Sequence, residues 1–323
     1  MTSESSCSNR FVGLDAHAEL CAIVVTYNSE ELIIRCIDSL RQACSGIAVR
    51  VIVVDNASRD HSVEVVKSAG SDCILIENDV NVGFGRANNQ AVSLCDSDFV
   101  LLLNPDAFVE CDTIRKSLAH MRAQPACGIL GVSLVGEQGQ GGSSAYSFPS
   151  LWRDFARRTG LRRMPKSERD AEVVRCDWVP GCFYLIRKQV IDQVGLFDPR
   201  YFLYFEEVDH CVAAKQAGWE VQCLTTTRVI HEGGASALSL GELNGAGLLS
   251  DLQIESELLF FRKHSGPTGA LVALLLGVAA DLILAIKGLV KGQPWSQAGK
   301  YWQNSKTLCR IARQSYLGYR PSR

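Results

Sequence analysis

Four near-continuous apolar runs constrain this chain most, at 21–27, 49–54, 73–77 and 99–103. Between them lie stretches with helical apolar spacing. Residues 30–44 place Leu32, Ile33, Cys36, Ile37 and Leu40 on one face, and further helices are predicted over about 60–69 and 85–95. A strand buried on both faces reads as a continuous apolar run, because neither side alternates with solvent. Such strands alternating with helices predict an α/β fold, a mostly parallel sheet with helices on both faces. Polar residues cluster just past the strand ends: Thr26-Tyr27-Asn28, Asp55-Asn56-Ala57-Ser58 and Asn104-Pro105-Asp106. Open α/β sheets bind ligands along that edge.

The second half is less regular. Residues 136–147 are rich in Gly, Gln and Ser and read as a flexible loop. Residues 152–169 carry Arg153, Arg157, Arg158, Arg162 and Arg163, read as a solvated face rather than a binding site. Strands are expected over 173–187 and 219–230, and a helix over 251–263. The 323 residues are 47% hydrophobic, which supports a sizeable core. A net charge of −2, with no zinc-finger spacing and no basic recognition helix, gives no case for nucleic-acid binding. The 13 cysteines are scattered and odd in number, without a C-x-x-C. Neither Cys176 with Cys182 nor Cys21 with Cys36 suggests a metal site or a disulfide, so buried free thiols in a reducing cytosol are expected. Residues 1–9 are polar and Ser-rich, without the apolar core of a cleaved signal, so secretion by that route is not expected.

The C-terminal part differs in character. Residues 270–290 are apolar except for Asp281 and Lys287. The length suits a bilayer span, but Asp281 near the centre is costly there. A single span would also place a basic tail outside. Ala273, Gly277, Asp281 and Ala285 form a stripe suited to close helix packing. After Asp281 there is no acid, whereas Lys287, Lys291, Lys300, Lys306, Arg310, Arg313, Arg320 and Arg323 are basic. Trp295, Tyr301, Trp302, Tyr316 and Tyr319 are interleaved with them. The expectation is a helix lying in or dipping into an anionic membrane surface, or packed on a partner. A helix docked on the core is the alternative. The domains read as a flexible tail at 1–18, a catalytic domain at 19–264 and a membrane-associating extension at 265–323. Truncation before Ser265 is expected to leave the catalytic fold intact.

Several residues carry potential chemistry. Residues 201–209, Tyr-Phe-Leu-Tyr-Phe-Glu-Glu-Val-Asp, place three carboxylates within four positions. In a helix, Glu206 and Asp209 share a face, with Glu207 beside them. Apolar surroundings raise a carboxyl pKa and make a usable base, while capping a helix N-terminus is the competing role. Asp55 can accept a nucleobase N–H; Asn56 and Ser58 are turn formers. Asn81-Val-Gly-Phe-Gly-Arg-Ala-Asn-Asn89 is a Gly-containing turn into a helix. It lacks the G-x-G-x-x-G spacing of a nicotinamide site, yet its backbone and Arg86 can approach a nucleotide or phosphate. Asp106 suits a hard divalent cation held mainly by ligand phosphates and waters, and His231 can add a second ligand.

In this order the motifs resemble family 2 glycosyltransferases, and within them the rhamnosyltransferase-like proteins of bacterial cell-surface polysaccharide assembly. The resemblance covers about residues 20–235. It rests on Val-Val-Thr-Tyr-Asn (24–28), Val-Val-Asp-Asn-Ala-Ser (53–58), Asn-Val-Gly-Phe-Gly (81–85), Leu-Leu-Asn-Pro-Asp (102–106), Trp-Val-Pro-Gly (178–181), Gly-Leu-Phe-Asp (195–198), Phe-Glu-Glu-Val-Asp (205–209) and His-Glu-Gly-Gly-Ala-Ser (231–236). The resemblance implies a GT-A fold and an inverting single displacement. It implies a donor site drawn from Thr26, Tyr27, Asn28, Asp55, Asn81, Gly83, Arg86, Asn104 and Asp106, with Asp55 on a pyrimidine base. Asn104 and Asp106 match the D-x-D motif, with Asp106 and His231 as ligands of Mg²⁺ or Mn²⁺. Glu207 matches the catalytic base, flanked by Glu206 and Asp209.

The implied donor is dTDP-L-rhamnose. The implied acceptor is a lipid-linked or growing glycan at the cytoplasmic face of a bacterial inner membrane, reached by a peripheral or monotopic enzyme. UDP-GlcNAc, UDP-galactose or UDP-galactofuranose are alternative donors, and a non-catalytic membrane-bound glycan-assembly subunit is the alternative role. A homo-oligomer is compatible with the sequence. Four positions depart from the family pattern. Asn104 replaces the first acid of D-x-D, Glu207 stands at the base position where Asp is common and so reaches one methylene further, His210 replaces a Leu, and Ala213 stands where relatives carry Arg.

Overall fold

The computed structural model describes residues 11–13, 16–70, 73–136, 139–141, 144–161, 171–232, 250–292 and 294–322. The Ser-rich start at 1–9, Arg162, Arg163, the end of the 231–236 motif and Arg323 lie outside the described residues. The chain forms two compact units. The first comprises Met1–Ser147, Glu168–Asp198 and Glu207–Leu240. The second comprises Phe148–Ser167, Pro199–Glu206 and Gly241–Arg323.

The first unit begins as the apolar runs predict. Strands β1 (Leu20–Thr26), β2 (Val49–Asp55), β3 (Cys73–Glu77) and β4 (Phe99–Leu103) alternate with helices α1 (Glu30–Ala43), α2 (Ser62–Ser68) and α3 (Phe84–Val92). They pair in parallel in the order β3-β2-β1-β4. Every residue of β1, β2 and β4 is buried, whereas the edge strand β3 is only partly so. Helix α1 buries Ile33, Cys36, Ile37, Leu40 and Ala43, the face its spacing defines.

Beyond β4 the sheet becomes mixed. The remaining elements are β5 (Ala107–Val109), α4 (Thr113–Ala123), β6 (Cys127–Val135), β7 (Val173–Cys176), β8 (Phe183–Arg187), α6 (Lys188–Val194), α7 (Glu206–Gln216) and β9 (Glu220–His231), with α5 (Leu151–Arg158) belonging to the second unit. Strand β8 is antiparallel to both β4 and β6, β9 is parallel to β6, and β5 and β7 are antiparallel to β9. The run expected as one strand over 173–187 is therefore two. Pro180 has no N–H to give a ladder, and the chain turns between β7 and β8 at the Trp-Val-Pro-Gly segment.

Two features depart from the sequence reading. Cys21 and Cys95 form a disulfide, with Cα atoms 5.7 Å apart, where only free thiols were expected. The other described cysteines form no disulfide. Arg50 is fully buried inside β2; it donates to the carbonyls of Gly13, Ala16 and Leu94 and pairs with Asp96.

In the second unit the helix expected at 251–263 continues as α8 (Asp251–Val290), followed by α9 (Trp295–Gln314). The boundary expected at 264/265 thus falls within α8. Ser250 caps α8 by accepting from Gln253 N at 3.1 Å. The helix kinks at Gly266 (φ 70°), just before Pro267, whose ring and missing N–H break the ladder. Leu308, Ile311 and Ala312 of α9 pack on Ile254 and Leu258, with Ala273, Leu274 and Val278 beside them. A Cβ on Gly277 would lie 3.3 Å from Leu308 Cδ1, so the small-residue stripe permits this approach. Asp281 is fully buried. It accepts from Asn304 Nδ2 (2.8 Å) and Ser305 Oγ (3.1 Å), and Arg158 of α5 pairs with it. Arg158 is thus not part of a solvated face. Ser256 Oγ donates to Leu203 O (2.8 Å) and Phe260 packs on Phe205, which holds the 203–205 segment within this unit.

Candidate active site

The C-terminal edge of β1 and β2 carries the first group of predicted residues. Thr26 and Asp55 are register partners, and both are buried. Asp55 Oδ2 accepts from Ser58 N at 3.0 Å. Asp55 Oδ1 and Thr26 Oγ1 are buried without a hydrogen-bond partner. Two such atoms side by side are costly unless a ligand satisfies them. The surrounding backbone is unusual. Asn28 (φ 49°) and Ala57 (φ 66°) are left-handed, a conformation Asn tolerates and Ala does not. Asn28 N donates to Ser58 Oγ (2.9 Å), and Asn28 Oδ1 accepts from Arg59 N (2.8 Å), so the two loops brace each other. Tyr27 between them is half-buried.

The 81–89 motif docks on the same edge. Asn81 Oδ1 accepts from Gly83 N (2.9 Å), and Gly83 takes φ 88° to enter α3. Asn56 fastens this turn: its Oδ1 accepts from Val82 N (3.2 Å) and its Nδ2 donates to Gly83 O (3.4 Å). Asn89 bonds Phe197 through both N–H (3.1 Å) and C=O (2.7 Å). Arg86 is exposed on α3.

The second group lies past β4. Ala107 and His231 are register partners in the β5–β9 pair, which sets Asp106 Oδ1 3.2 Å from His231 Nε2. Asp106 is 3% exposed. Burial by itself would lower the His231 pKa, but hydrogen bonds to Asp106 and Cys182, with the charge of Asp106, outweigh it and raise the value to about 10. Among the described residues no group of three or more His, Cys, Asp or Glu is arranged to hold a metal ion. One carboxylate and, once it gives up its proton, one imidazole fit a cation that draws its remaining ligands from a substrate's phosphates and from water. Asn104 is half-buried; its N–H donates to Cys182 O (3.1 Å) and its carbonyl accepts from Ala107 N (3.1 Å).

The third group is the acidic segment. Tyr204 (φ 71°) and Phe205 (φ 70°) are both left-handed, and α7 begins at the next residue. Glu206 and Asp209 are buried, whereas Glu207 is half-buried. A Cβ on Gly181 would lie 3.9 Å from Glu207 Cβ and 3.7 Å from Phe84 Cε1. His210 accepts from or donates to Tyr184 OH at 3.0 Å through Nδ1, and reaches Gly195 O at 3.1 Å through Nε2. With the carbonyl able only to accept, Nε2 holds the proton and Nδ1 accepts from the phenol. Burial lowers the His210 pKa to about 4, against the Gly195 bond and the Asp209 charge. Ala213 is half-buried and brings no charge; two residues on, Lys215 donates to Asp177 Oδ1 at 2.6 Å.

Gly181 and Cys182 join these groups. A Cβ on Gly181 would be in van der Waals contact with both Phe84 of the 81–89 motif and Glu207 of α7. Cys182 accepts from Asn104 N through its carbonyl, and its thiol is near enough to His231 to help raise the imidazole pKa. Trp-Val-Pro-Gly is visible in the sequence as a motif, but nothing there marks Cys182, Asn56 or Asn89. Their contacts are set by tertiary pairing.

A parallel nucleotide-edge half continued by a mixed sheet, with these residues at its strand ends, defines a glycosyltransferase of the GT-A class. The chain belongs to glycosyl transferase family 2, whose family model matches residues 21–195. It is rhamnosyltransferase-like. It is 27% identical over 237 residues to the N-acetylglucosaminyl-diphospho-decaprenol L-rhamnosyltransferase of Mycobacterium tuberculosis, covering 66% of this chain and 75% of that protein. It is 28% identical over 160 residues to rhamnosyltransferase WbbL of Escherichia coli K12, covering 46% of this chain and 60% of that protein. Its fold is similar to the mannosyltransferase PcManGT from Pyrobaculum calidifontis in complex with GDP-Man and Mn²⁺. That match has a TM-score of 0.54 and 13% identity, covering 97% of this chain and 90% of that one.

Proposed function

We propose that this enzyme is an inverting rhamnosyltransferase that moves L-rhamnose from dTDP-L-rhamnose to a lipid-linked or growing cell-surface glycan. It would work at the cytoplasmic face of a bacterial inner membrane, with catalysis in the first unit and membrane association in the second. The observation that carries the reading is the convergence at Gly181–Cys182 of Phe84, Glu207, Asn104 and the Asp106–His231 pair. The rhamnosyltransferase relatives support the choice of sugar.

In this reading Asp55 Oδ1 accepts a base N–H of the donor. Glu207 takes the proton from an acceptor hydroxyl as its oxygen bonds the anomeric carbon from the face opposite the leaving group. The bond from that carbon to the diphosphate breaks, and the nucleoside diphosphate leaves. Asp106 and His231 fit Mg²⁺ or Mn²⁺, which when bound offsets the charge growing on the departing diphosphate. A non-catalytic subunit would have no use for the Asp106–His231 pair beside an acid-bearing helix start.

The test is a panel of dTDP-, UDP- and GDP-sugars assayed for nucleotide release with Mg²⁺ present and again in excess chelator. Release of dTDP from dTDP-L-rhamnose alone, abolished by chelator, is expected. Preference for a UDP-sugar overturns the donor. Full activity in chelator overturns the metal.

A further inference from the structure

Among the described residues, thirteen large apolar side chains stand exposed, and all but Val80 belong to the second unit. On α8, Leu271, Leu275, Leu282, Ile286 and Val290 are 45–82% exposed. At 3.6 residues per turn these five fall within one face. The two charges that interrupt the apolar run do not break that face. Asp281 is held by Arg158, Asn304 and Ser305, and Lys287 Nζ donates to Thr159 O at 2.6 Å. Along α9, Trp295, Trp302, Lys306 and Arg313 share an exposed face, and Lys306 lies over the Trp302 ring at 5.6 Å. An exposed apolar face on α8, with cations and tryptophans exposed on α9 of the same unit, fits an anionic lipid surface.

The orientation follows from how α8 and α9 pair. The apolar half of α8 is long enough and apolar enough to cross a bilayer. However, it is not alone. Asp281 meets Asn304 and Ser305, Gly277 meets Leu308, and Glu255 accepts from Ser322 N, so α9 runs antiparallel beside α8. Lys306, between the α9 residues that meet Asp281 and Gly277, therefore flanks the middle of the apolar half, and Arg158 meets it at Asp281, whereas Arg310 pairs with Asp251 at the start of α8. A spanning α8 would carry these charges into the hydrocarbon, which is costly. An in-plane hairpin leaves them at headgroup depth, where they attract anionic lipid.

We propose that the second unit seats in one leaflet of an anionic bilayer, with the apolar half of α8 in the membrane plane, its Leu271–Val290 face among the acyl chains and the α9 tryptophans and cations at the headgroups. This rests on the reading of the enzyme as membrane-associated and adds its orientation.

The test uses the full chain with vesicles of phosphatidylglycerol and phosphatidylethanolamine. The wild type should sediment with them, less so at high salt. The double variant Leu275→Glu/Ile286→Glu changes only exposed positions. It should lose vesicle partition at least about tenfold while keeping its melting temperature and nucleotide release. Trp302, read as the difference between wild type and Trp302→Phe, should be quenched more by lipids brominated near the headgroup than near the chain end. Unchanged partition of the double variant overturns the proposal. So does stronger quenching from the chain end, which marks a span. Loss of a dimer in the double variant with partition unchanged overturns it in favour of a second copy on this face. If no donor in the panel releases nucleotide while the vesicle results hold, the catalytic reading fails and the membrane seat stands.

Discussion

Three carboxylates open α7, and their surroundings divide them. Glu206 and Asp209 are buried, while Glu207 is half-buried, with its Cβ 3.9 Å from where a Cβ on Gly181 would lie. Glu207→Gln should reduce transfer by about 10²–10⁴-fold with donor affinity nearly unchanged, measured by steady-state kinetics and donor titration. Near-normal turnover would move the base to Glu206 or Asp209. The acids are legible in the sequence, but their division is not, because it depends on the left-handed pair Tyr204–Phe205 that sets where the helix starts. Likewise Asp106 and His231 meet only through the β5–β9 register, which no local pattern reveals.

His210 is a second residue whose role the sequence hides. Its folded pKa, about 4, lies below the 6.5 of an ordinary histidine. Between those values the unfolded chain binds the proton and the folded one does not. Its contribution is therefore retained above pH 6.5 and lost as pH falls toward 4, by about 3 kcal/mol in all. His210→Leu should flatten the fall in melting temperature over that range. It should also cost about 1 kcal/mol at neutral pH, because Tyr184 loses the nearest of its hydrogen-bond partners. A pH profile that is unchanged in the variant would assign the acid sensitivity elsewhere.

At the scale of elements, the parallel ladder β3-β2-β1-β4 is the most legible part. Each strand is buried enough to write itself as an apolar run, and each helix shows its inward face. The mixed half is less legible because its strands are held by distant partners and irregular registers; β9 shifts register against β6 after Val132. One close approach there supports the site. A Cβ on Gly131 of β6 would lie 2.7 Å from Val179 Cβ, two residues from Gly181. Val179 is fully buried, so it has nowhere to retreat. Gly131→Ala should destabilise the protein by about 1–3 kcal/mol in urea unfolding. It should also lower kcat, because the Val179–Gly181 segment backs Glu207. Wild-type stability in the variant would show that this segment yields freely.

At the scale of the whole molecule, chain order conceals the second unit. Its helices come from 148–167 and 241–323, and the ion pair between Arg158 and Asp281 joins residues far apart in sequence. A lone Asp in an apolar run reads as a cost to burial; the partner that offsets it lies in a segment that reads as solvated. The simple view of residues 265–323 as a removable extension therefore meets an obstacle. Truncation before Ser265 takes away Asp281 together with Leu308, Ile311 and Ala312, and leaves Arg158, Ile254 and Leu258 without the groups they pack on. Arg158→Met isolates the polar part of this loss. Removing one partner of a buried pair costs about 3–5 kcal/mol, whereas replacing both by apolar residues is close to neutral. Arg158→Met alone should therefore make 148–161 and α8 sensitive to limited proteolysis. The double variant Arg158→Met/Asp281→Leu should recover most of the resistance, with Asn304 and Ser305 left facing a leucine as the residual penalty. If the single and double variants are cleaved alike, the pair is not what holds α5 to α8.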